Sequence, residues 1–227
     1  MEAHASTVCD LGLVAEPCAM RNAKVVRFDT RAFPFRELVG HGVFHVEDLA
    51  ALHREVLSRK LRRNAGAVAM KDNIQYRRLL ERLPDTAPFY LAYHAFVRRA
   101  ISPHFDGKIS YSGHPTFRVH MPGTARISGW HRDVDVTGRL DQINVWVPFV
   151  DTSGTNTLWI ETHYGREDYV PVALRYGEAL LFDGGLLLHG SVPNESDVTR
   201  VSMDFRFAPL QPGIEEEPRG ILSLRPR

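Results

Sequence analysis

The hydrophobic positions in the first hundred residues recur at helical spacing. In segment 47–63, leucine and valine side chains fall on one stripe, which is typical of an amphipathic helix. Segments 70–83 and 87–101 repeat that pattern and are bounded by prolines. Residues 24–28 favour a short strand. We therefore predict that residues 1–107 are mostly helical.

From about Lys108 onward the pattern changes to short extended segments separated by Gly, Pro, Asn and Asp. In segment 141–150, Ile143, Val145 and Val147 share one face, and Asn144 lies on the opposite face. About eight strands at this spacing predict a sandwich, jelly roll or barrel. The predicted strands are 115–121, 125–131, 141–150, 156–161, 168–174, 178–183, 186–190 and 199–208.

The two halves are not separated by a linker rich in Gly, Ser or Pro, so we predict a single domain over residues 1–227. The predicted fold class is mainly β with flanking helices. Residues 108–210 form the β core, 1–107 form the helical part, and 211–227 form a C-terminal tail.

Composition and charge narrow the function classes. Lys plus Arg is 28 and Asp plus Glu is 27, so the net charge of +1 gives no reason to expect a nucleic-acid or membrane partner. The two cysteines, Cys9 and Cys18, are too few for a disulfide scaffold or an independent zinc module. The sequence shows neither a secretory signal nor an apolar run of about 18 residues, which predicts a cytoplasmic protein.

Several histidines and carboxylates have spacings that metal ions use. On a strand, His131 and Asp133 would point to one face and could hold one ion. The pattern is not specific alone, because His104 and Asp106 repeat it and most such histidines lie on the surface. His189 follows a strand and a Gly-Gly turn, and by itself it is typical of a structural histidine.

The last predicted strand alternates strictly between polar and apolar residues. Arg200 and Ser202 share its polar face, and an Arg fork beside a hydroxyl is suited to a carboxylate. For Asp204 and Arg206, on the same face, we favour the plain interpretation of a solvated strand face.

Taken together, four motifs resemble the iron(II)- and 2-oxoglutarate-dependent oxygenases of the phytanoyl-CoA-hydroxylase-like branch. The resemblance covers roughly residues 115–208. The motifs are GWHRD at 129–133, GTNTLWIETH at 154–163, GEALLFDGGLLLHGS at 177–191 and TRVSMDFRF at 199–207.

This resemblance implies a double-stranded β-helix, the jelly-roll fold also found in cupins. It implies that His131, Asp133 and His189 bind iron(II), and that Arg200 binds the remote carboxylate of 2-oxoglutarate with help from Ser202. The presence of Asp133 argues against a halogenase, because in halogenating relatives a small residue replaces this carboxylate. The resemblance also makes segments 22–45 and 65–75 candidates for a lid.

Other polar residues near the motifs have weaker claims to the site. Asn144 either contacts 2-oxoglutarate or makes a structural hydrogen bond. The candidate substrate contacts are Trp130, Arg118, His120 and Asp135. Glu161 and Asp183, like Asp135, could meet amines or hydroxyls of a polar substrate, but for all three we favour a solvated surface position.

The implied activity uses O2 and 2-oxoglutarate to hydroxylate a C–H bond or to close a ring oxidatively. The narrower resemblance is to small oxygenases of aminoglycoside and orthosomycin-type antibiotic biosynthesis, whose orthoester-forming members act on oligosaccharides. The partner would then be a small polar natural-product intermediate. Two alternatives stay open: a cupin-like metal-dependent isomerase or hydrolase that uses no keto acid, and a non-enzymatic β-barrel binding module. The sequence leaves the oligomeric state unknown.

Overall fold

The computed structural model describes residues 23–105 and 108–210. Cys9, Cys18, Asp106 and the predicted tail at 211–227 lie outside the described residues. Across the described ranges, every helix is too short or too polar to cross a membrane.

The helical part precedes the β core, as predicted. Pro88 starts helix α4 (Pro88–Phe96) at a position where its missing N–H costs nothing, and Leu52 and Val56 bury the apolar stripe of helix α2 (Leu52–Arg62). A π-helical turn extends both α4 and the first helix, α1 (Phe35–Val39). The helices are α1 (Phe35–Val39), α2 (Leu52–Arg62), α3 (Met70–Glu81), α4 (Pro88–Phe96) and the short α5 (Val134–Thr137) within the β half.

The strands form two antiparallel sheets. They are β1 (Lys24–Arg27), β2 (Ile109–Tyr111), β3 (Thr116–His120), β4 (Ile143–Pro148), β5 (Trp159–Glu161), β6 (Tyr169–Pro171), β7 (Glu178–Phe182), β8 (His189–Gly190) and β9 (Arg200–Pro209).

The larger sheet has the order β1-β7-β4-β9. The edge of β9 that faces away from β4 pairs with both β2 and β3. The smaller sheet has the order β6-β5-β8, and a bridge between His131 and His189 extends it. Two facing sheets of this kind form the double-stranded β-helix that the sequence predicts. The register on the larger sheet places Asn144 opposite Arg206, and His120 opposite Arg200.

The helices cover one face of the larger sheet and leave the other face toward the smaller sheet. The rings of Phe89 and Phe96 from α4 contact Phe35, which stacks on Phe149 just after β4. All six residues of β4 are buried. Its predicted polar face therefore lies inside the molecule, between the two sheets.

The predicted strand at 125–131 is wrong. This segment is irregular with bends, and His131 alone makes a β-bridge. Asp133 has helical dihedrals (φ −67°, ψ −26°) at the start of α5. His131 and Asp133 therefore do not share a strand face, and a turn of the backbone brings them together. Strand β2 and helix α1 were not predicted.

Candidate metal centre

His131, Asp133 and His189 converge at one end of the space between the sheets. One ligand atom from each lies within 4.8 Å of the others. Nε2 of His131 is 3.5 Å from Oδ1 of Asp133, and Nε2 of His189 is 3.9 Å from that oxygen. Two imidazole nitrogens and one carboxylate oxygen at these separations fit a divalent transition-metal ion.

Backbone carbonyls orient both imidazoles. Nδ1 of His131 lies 2.9 Å from the carbonyl oxygen of Gly129, and Nδ1 of His189 lies 3.0 Å from that of Leu187. A carbonyl oxygen only accepts, so each Nδ1 carries the proton and each Nε2 presents its lone pair to the shared space. Both rings are thus set for metal binding through Nε2.

Burial also keeps His189 uncharged. It lowers the pKa of His189 to about 4, so the imidazole is neutral at pH 7. The pKa of His131 is raised, chiefly by the carboxylate of Asp133 beside its Nε2. A metal ion competes with protons for both rings, since it binds only the neutral form.

Asp133 is held by groups from two strands. Arg206 donates to both of its oxygens, from Nε at 2.6 Å and Nη2 at 2.8 Å, and Asn144 donates from Nδ2 at 2.6 Å. Burial alone would raise the pKa of Asp133, but the neighbouring imidazole of His131 and the hydrogen bonds from Arg206 and Asn144 hold it well below its ordinary value. Asp133 is therefore a carboxylate.

A glycine makes room for this arrangement. A Cβ atom on Gly184 would lie 2.4 Å from Nδ2 of Asn144, which is closer than real Cβ contacts come. The carbonyl oxygen of Gly184 also accepts a hydrogen bond from the backbone N–H of Asp133 at 2.8 Å. The Gly-Gly turn after β7 thus positions both the amide and the carboxylate.

A second feature of the same space is a buried cation, Arg200. Arg200 is 2% exposed, and its Nε and Nη1 have no hydrogen-bond partner among the described residues, nor does Oγ of Ser202. Burial and the nearby Arg118 lower the pKa of Arg200 to about 9, which leaves it charged at pH 7. Such a group requires an anion, because an unpaired buried charge is costly.

His131, Asp133, His189 and Arg200 line one pocket of about 460 Å³, a volume that includes space open to solvent. Apolar walls come from Trp146, Leu158 and Phe182. The donor set and the orphaned guanidinium therefore fit a metal ion and a small carboxylate in the same cavity.

The remaining candidates lie in different places. Arg118 lines the pocket, and its Nε lies 3.4 Å from Oδ1 of Asp204. Trp130 is half-buried and packs on the ring of Tyr169, with centroids 4.1 Å apart. His120 is fully buried, and its Nε2 lies 3.1 Å from the carbonyl oxygen of Ala125. Asp135 is exposed on α5.

Four expectations about solvated carboxylates and cations are wrong. Glu161 is buried and accepts backbone hydrogen bonds from Glu167 and Leu188. Asp183 is also buried and accepts from the hydroxyl of Tyr164. Asp204 and Arg206 line the pocket. The strict alternation of β9 shows only that Arg200 and Arg206 share a face.

No family model matches the chain. The streptomycin biosynthesis protein StrG of Streptomyces griseus is 33% identical over 190 residues, or 81% of this chain and 83% of that protein. EctD of S. alaskensis has a similar structure (TM-score 0.53, 17% identity, 82% of this chain and 72% of that one). So does AviO1 of Streptomyces viridochromogenes Tue57 (TM-score 0.51, 16% identity, 87% of this chain and 92% of that one).

Proposed function

This chain belongs to the family of the streptomycin biosynthesis protein StrG and has the double-stranded β-helix fold, and we propose that it is an iron(II)- and 2-oxoglutarate-dependent oxygenase. One observation carries the proposal. Two imidazoles with a carboxylate line the same pocket as a buried guanidinium whose Nε and Nη1 have no hydrogen-bond partner among the described residues.

The three-ligand set supports iron as the metal. His131, Asp133 and His189 supply two nitrogens and one oxygen, which is the pattern of non-haem iron(II) oxygenase sites with open positions. We assign these three residues as the metal ligands. Asn144 then orients the ligand carboxylate, which favours the structural hydrogen bond over direct contact with 2-oxoglutarate.

The charge of Arg200 supports a dicarboxylate as the cosubstrate. A keto acid whose 1-carboxylate and 2-oxo group face the metal would extend its far carboxylate toward Nε and Nη1 of Arg200. The hydroxyl of Ser202 lies two residues along the same strand face and also lacks a partner among the described residues. The pair would satisfy both oxygens of that carboxylate.

When bound, iron would supply the oxidation of 2-oxoglutarate by O2 to succinate and CO2, with one oxygen atom available to the substrate. The chain's own residues bind and orient the cosubstrate and the substrate. Trp146, Leu158 and Phe182 supply the apolar part of the cavity wall. Arg200 fixes one end of the cosubstrate, and the two carbonyl-anchored imidazoles fix the other.

The name of the relative suggests a class of substrate. StrG is named as a protein of streptomycin biosynthesis. We propose that this chain acts on a small polar intermediate of an aminoglycoside-type or oligosaccharide pathway, by C–H hydroxylation or oxidative ring closure.

The direct test is turnover of 2-oxoglutarate carrying a labelled 1-carboxylate. The chain, loaded with Fe(II) and given O2, is expected to release labelled CO2, and a panel of aminocyclitols and amino sugars should raise the rate when it contains a substrate. The variant His131→Ala should release none.

Anaerobic incubation provides the discriminating arm. Conversion of a substrate without O2 and without 2-oxoglutarate would contradict the oxygenase and favour a metal-dependent isomerase or hydrolase. Absence of metal-dependent 2-oxoglutarate binding would contradict both the cosubstrate and the role of Arg200, and would favour the non-enzymatic binding module.

A further inference from the structure

We propose that Arg206 is a positioning residue that leaves only one oxygen of Asp133 available to the metal. The inference rests on the proposed function, because it takes His131, Asp133 and His189 as the metal ligands. It starts from an unequal distribution of hydrogen bonds over the two oxygens of that carboxylate.

Oδ2 of Asp133 accepts two short hydrogen bonds, from Nε of Arg206 and from Nδ2 of Asn144, each at 2.6 Å. A carboxylate oxygen has about two lone-pair sites, so these donors occupy Oδ2 fully. Oδ1 accepts only Nη2 of Arg206, at 2.8 Å, among the hydrogen bonds of the described residues. Oδ1 is also the oxygen that faces Nε2 of His131 and of His189.

Strand pairing places the two donors to Oδ2, Arg206 and Asn144, which we call the Oδ2 clamp. Asn144 on β4 and Arg206 on β9 are directly opposite in the antiparallel register, so their side chains leave the sheet on the same face. Asp133 reaches them from the other side, where its backbone is tied to Gly184. Asp133 is almost fully buried, which strengthens each of these charge-assisted bonds.

The number of metal-binding oxygens matters because coordination positions are few. With one oxygen from Asp133 and two imidazoles, a six-coordinate metal keeps three positions. A keto acid takes two of these and O2 needs the third. If both oxygens of Asp133 bound the metal, the keto acid would have to displace one of them. The Oδ2 clamp therefore keeps coordination positions open for both the keto acid and O2.

The test uses Co(II) as the probe, in chain labelled with ¹³C at the aspartate carboxyls. The difference infrared spectrum between Co(II)-loaded and metal-free protein reports the splitting of the antisymmetric and symmetric carboxylate stretches, which is wide for one-oxygen binding and narrow for two-oxygen binding. Wild type should show the wide splitting. Arg206→Met should show the narrow one.

The same variant should bind Co(II) at least as tightly as wild type, since it loses a nearby positive charge. Its Co(II) form should bind 2-oxoglutarate about tenfold more weakly, which is the scale of effect expected for a group that orients a metal ligand. Arg118→Met is the matched control, because it removes a pocket guanidinium paired with Asp204 and should keep the wide splitting.

Asn144→Ala removes the other donor to Oδ2 and provides a second route to the same answer if Arg206→Met folds poorly. It should also narrow the splitting. A wild-type splitting in both variants, with Co(II) still bound, would overturn the inference and leave the proposed function standing. Failure of wild type to bind Co(II) would instead overturn the proposed function.

Discussion

Among single residues, Arg200 is the buried charged group that most clearly lacks hydrogen-bond partners among the described residues. Its guanidinium is buried, two of its nitrogens have no partner among the described residues, and Arg118 adds a second positive charge nearby. Leaving such a charge unpaired costs several kcal/mol, so the site is built for an anion. Asp204, which could have neutralised it, pairs with Arg118 instead.

Replacing this cation should therefore separate cosubstrate binding from metal binding. Arg200→Gln is expected to weaken 2-oxoglutarate binding to the Co(II)-loaded chain by about 100-fold, because removing one partner of a buried charge pair costs about 3 kcal/mol. Isothermal titration measures the affinity. Arg200→Lys keeps the charge without the fork and should lose less. Equal affinity in the Gln variant and wild type would refute the role of Arg200.

His120 provides a pH-dependent readout of the same region. Burial and the charge of Arg200 lower the pKa of His120 to about 4, below the ordinary value of about 6.5 for an unfolded chain. The unfolded state therefore binds a proton first as the pH falls. Stability is unaffected above pH 6.5 and is lost between there and about pH 4, by up to about 3 kcal/mol.

Urea unfolding of metal-free chain at pH 7, 5.5 and 4.5 tests this. His120→Gln keeps a donor for the carbonyl oxygen of Ala125 but cannot titrate. As the pH is lowered from 7 to 4.5, the free energy of unfolding of His120→Gln should decrease less than that of wild type. His189 titrates in the same direction in both proteins, so it cancels in the comparison. Parallel curves would show that His120 contributes nothing to the pH dependence.

The residues that sequence could identify are those defined by order and spacing. His131, Asp133, His189 and Arg200 follow one another at intervals that resemble a known family. Arg206 was missed, because a charged residue at the end of an alternating strand is typical of a solvated face. Its role depends on Asn144 lying opposite it, and strand register is not readable from one sequence.

Among the elements, the turn after β7 positions Asp133, whose backbone N–H donates to the carbonyl oxygen of Gly184. Gly184→Ala should lower the free energy of unfolding by about 2 kcal/mol, because the new Cβ would overlap the Asn144 amide in a buried site. Gly113→Ala is the control, since a Cβ there meets nothing within 4 Å and should change stability by less than about 0.5 kcal/mol. Equal stabilities of the two variants would contradict the close approach.

Longer elements with a clear period were predictable, and short ones were not. The apolar stripes of α2 and α3 and the alternation of β4 and β9 appear in the sequence. Strand β8 has two residues, too few for any period. The HxD segment follows a turn into α5, and its conformation depends on backbone contacts with Gly184 and His189, which are distant in sequence.

At the scale of the whole molecule, aromatic rings join the helical part to the β core. Phe35 is fully buried and contacts Phe89 and Phe96 of α4 as well as Phe149 beyond β4. Such a contact predicts that both parts unfold together. The absence of a linker led to the same prediction of a single domain.

Phe35→Ala should lower the free energy of unfolding by about 3–5 kcal/mol, as expected for a large cavity in a core. Leu61→Ala, at a side chain of α2 that is 67% exposed, should stay within about 0.5 kcal/mol of wild type. Urea unfolding should be one transition by both near-UV and far-UV circular dichroism. Two separate transitions would contradict a single cooperative domain.

If His131, Asp133 and His189 hold a metal to which 2-oxoglutarate chelates, the bound pair absorbs visible light. The absorption is measured on the chain mixed anaerobically with Fe(II) and 2-oxoglutarate. We expect a metal-to-ligand charge-transfer band that needs both additions and is absent in His189→Ala. No band in wild type, or the same band in His189→Ala, would contradict it.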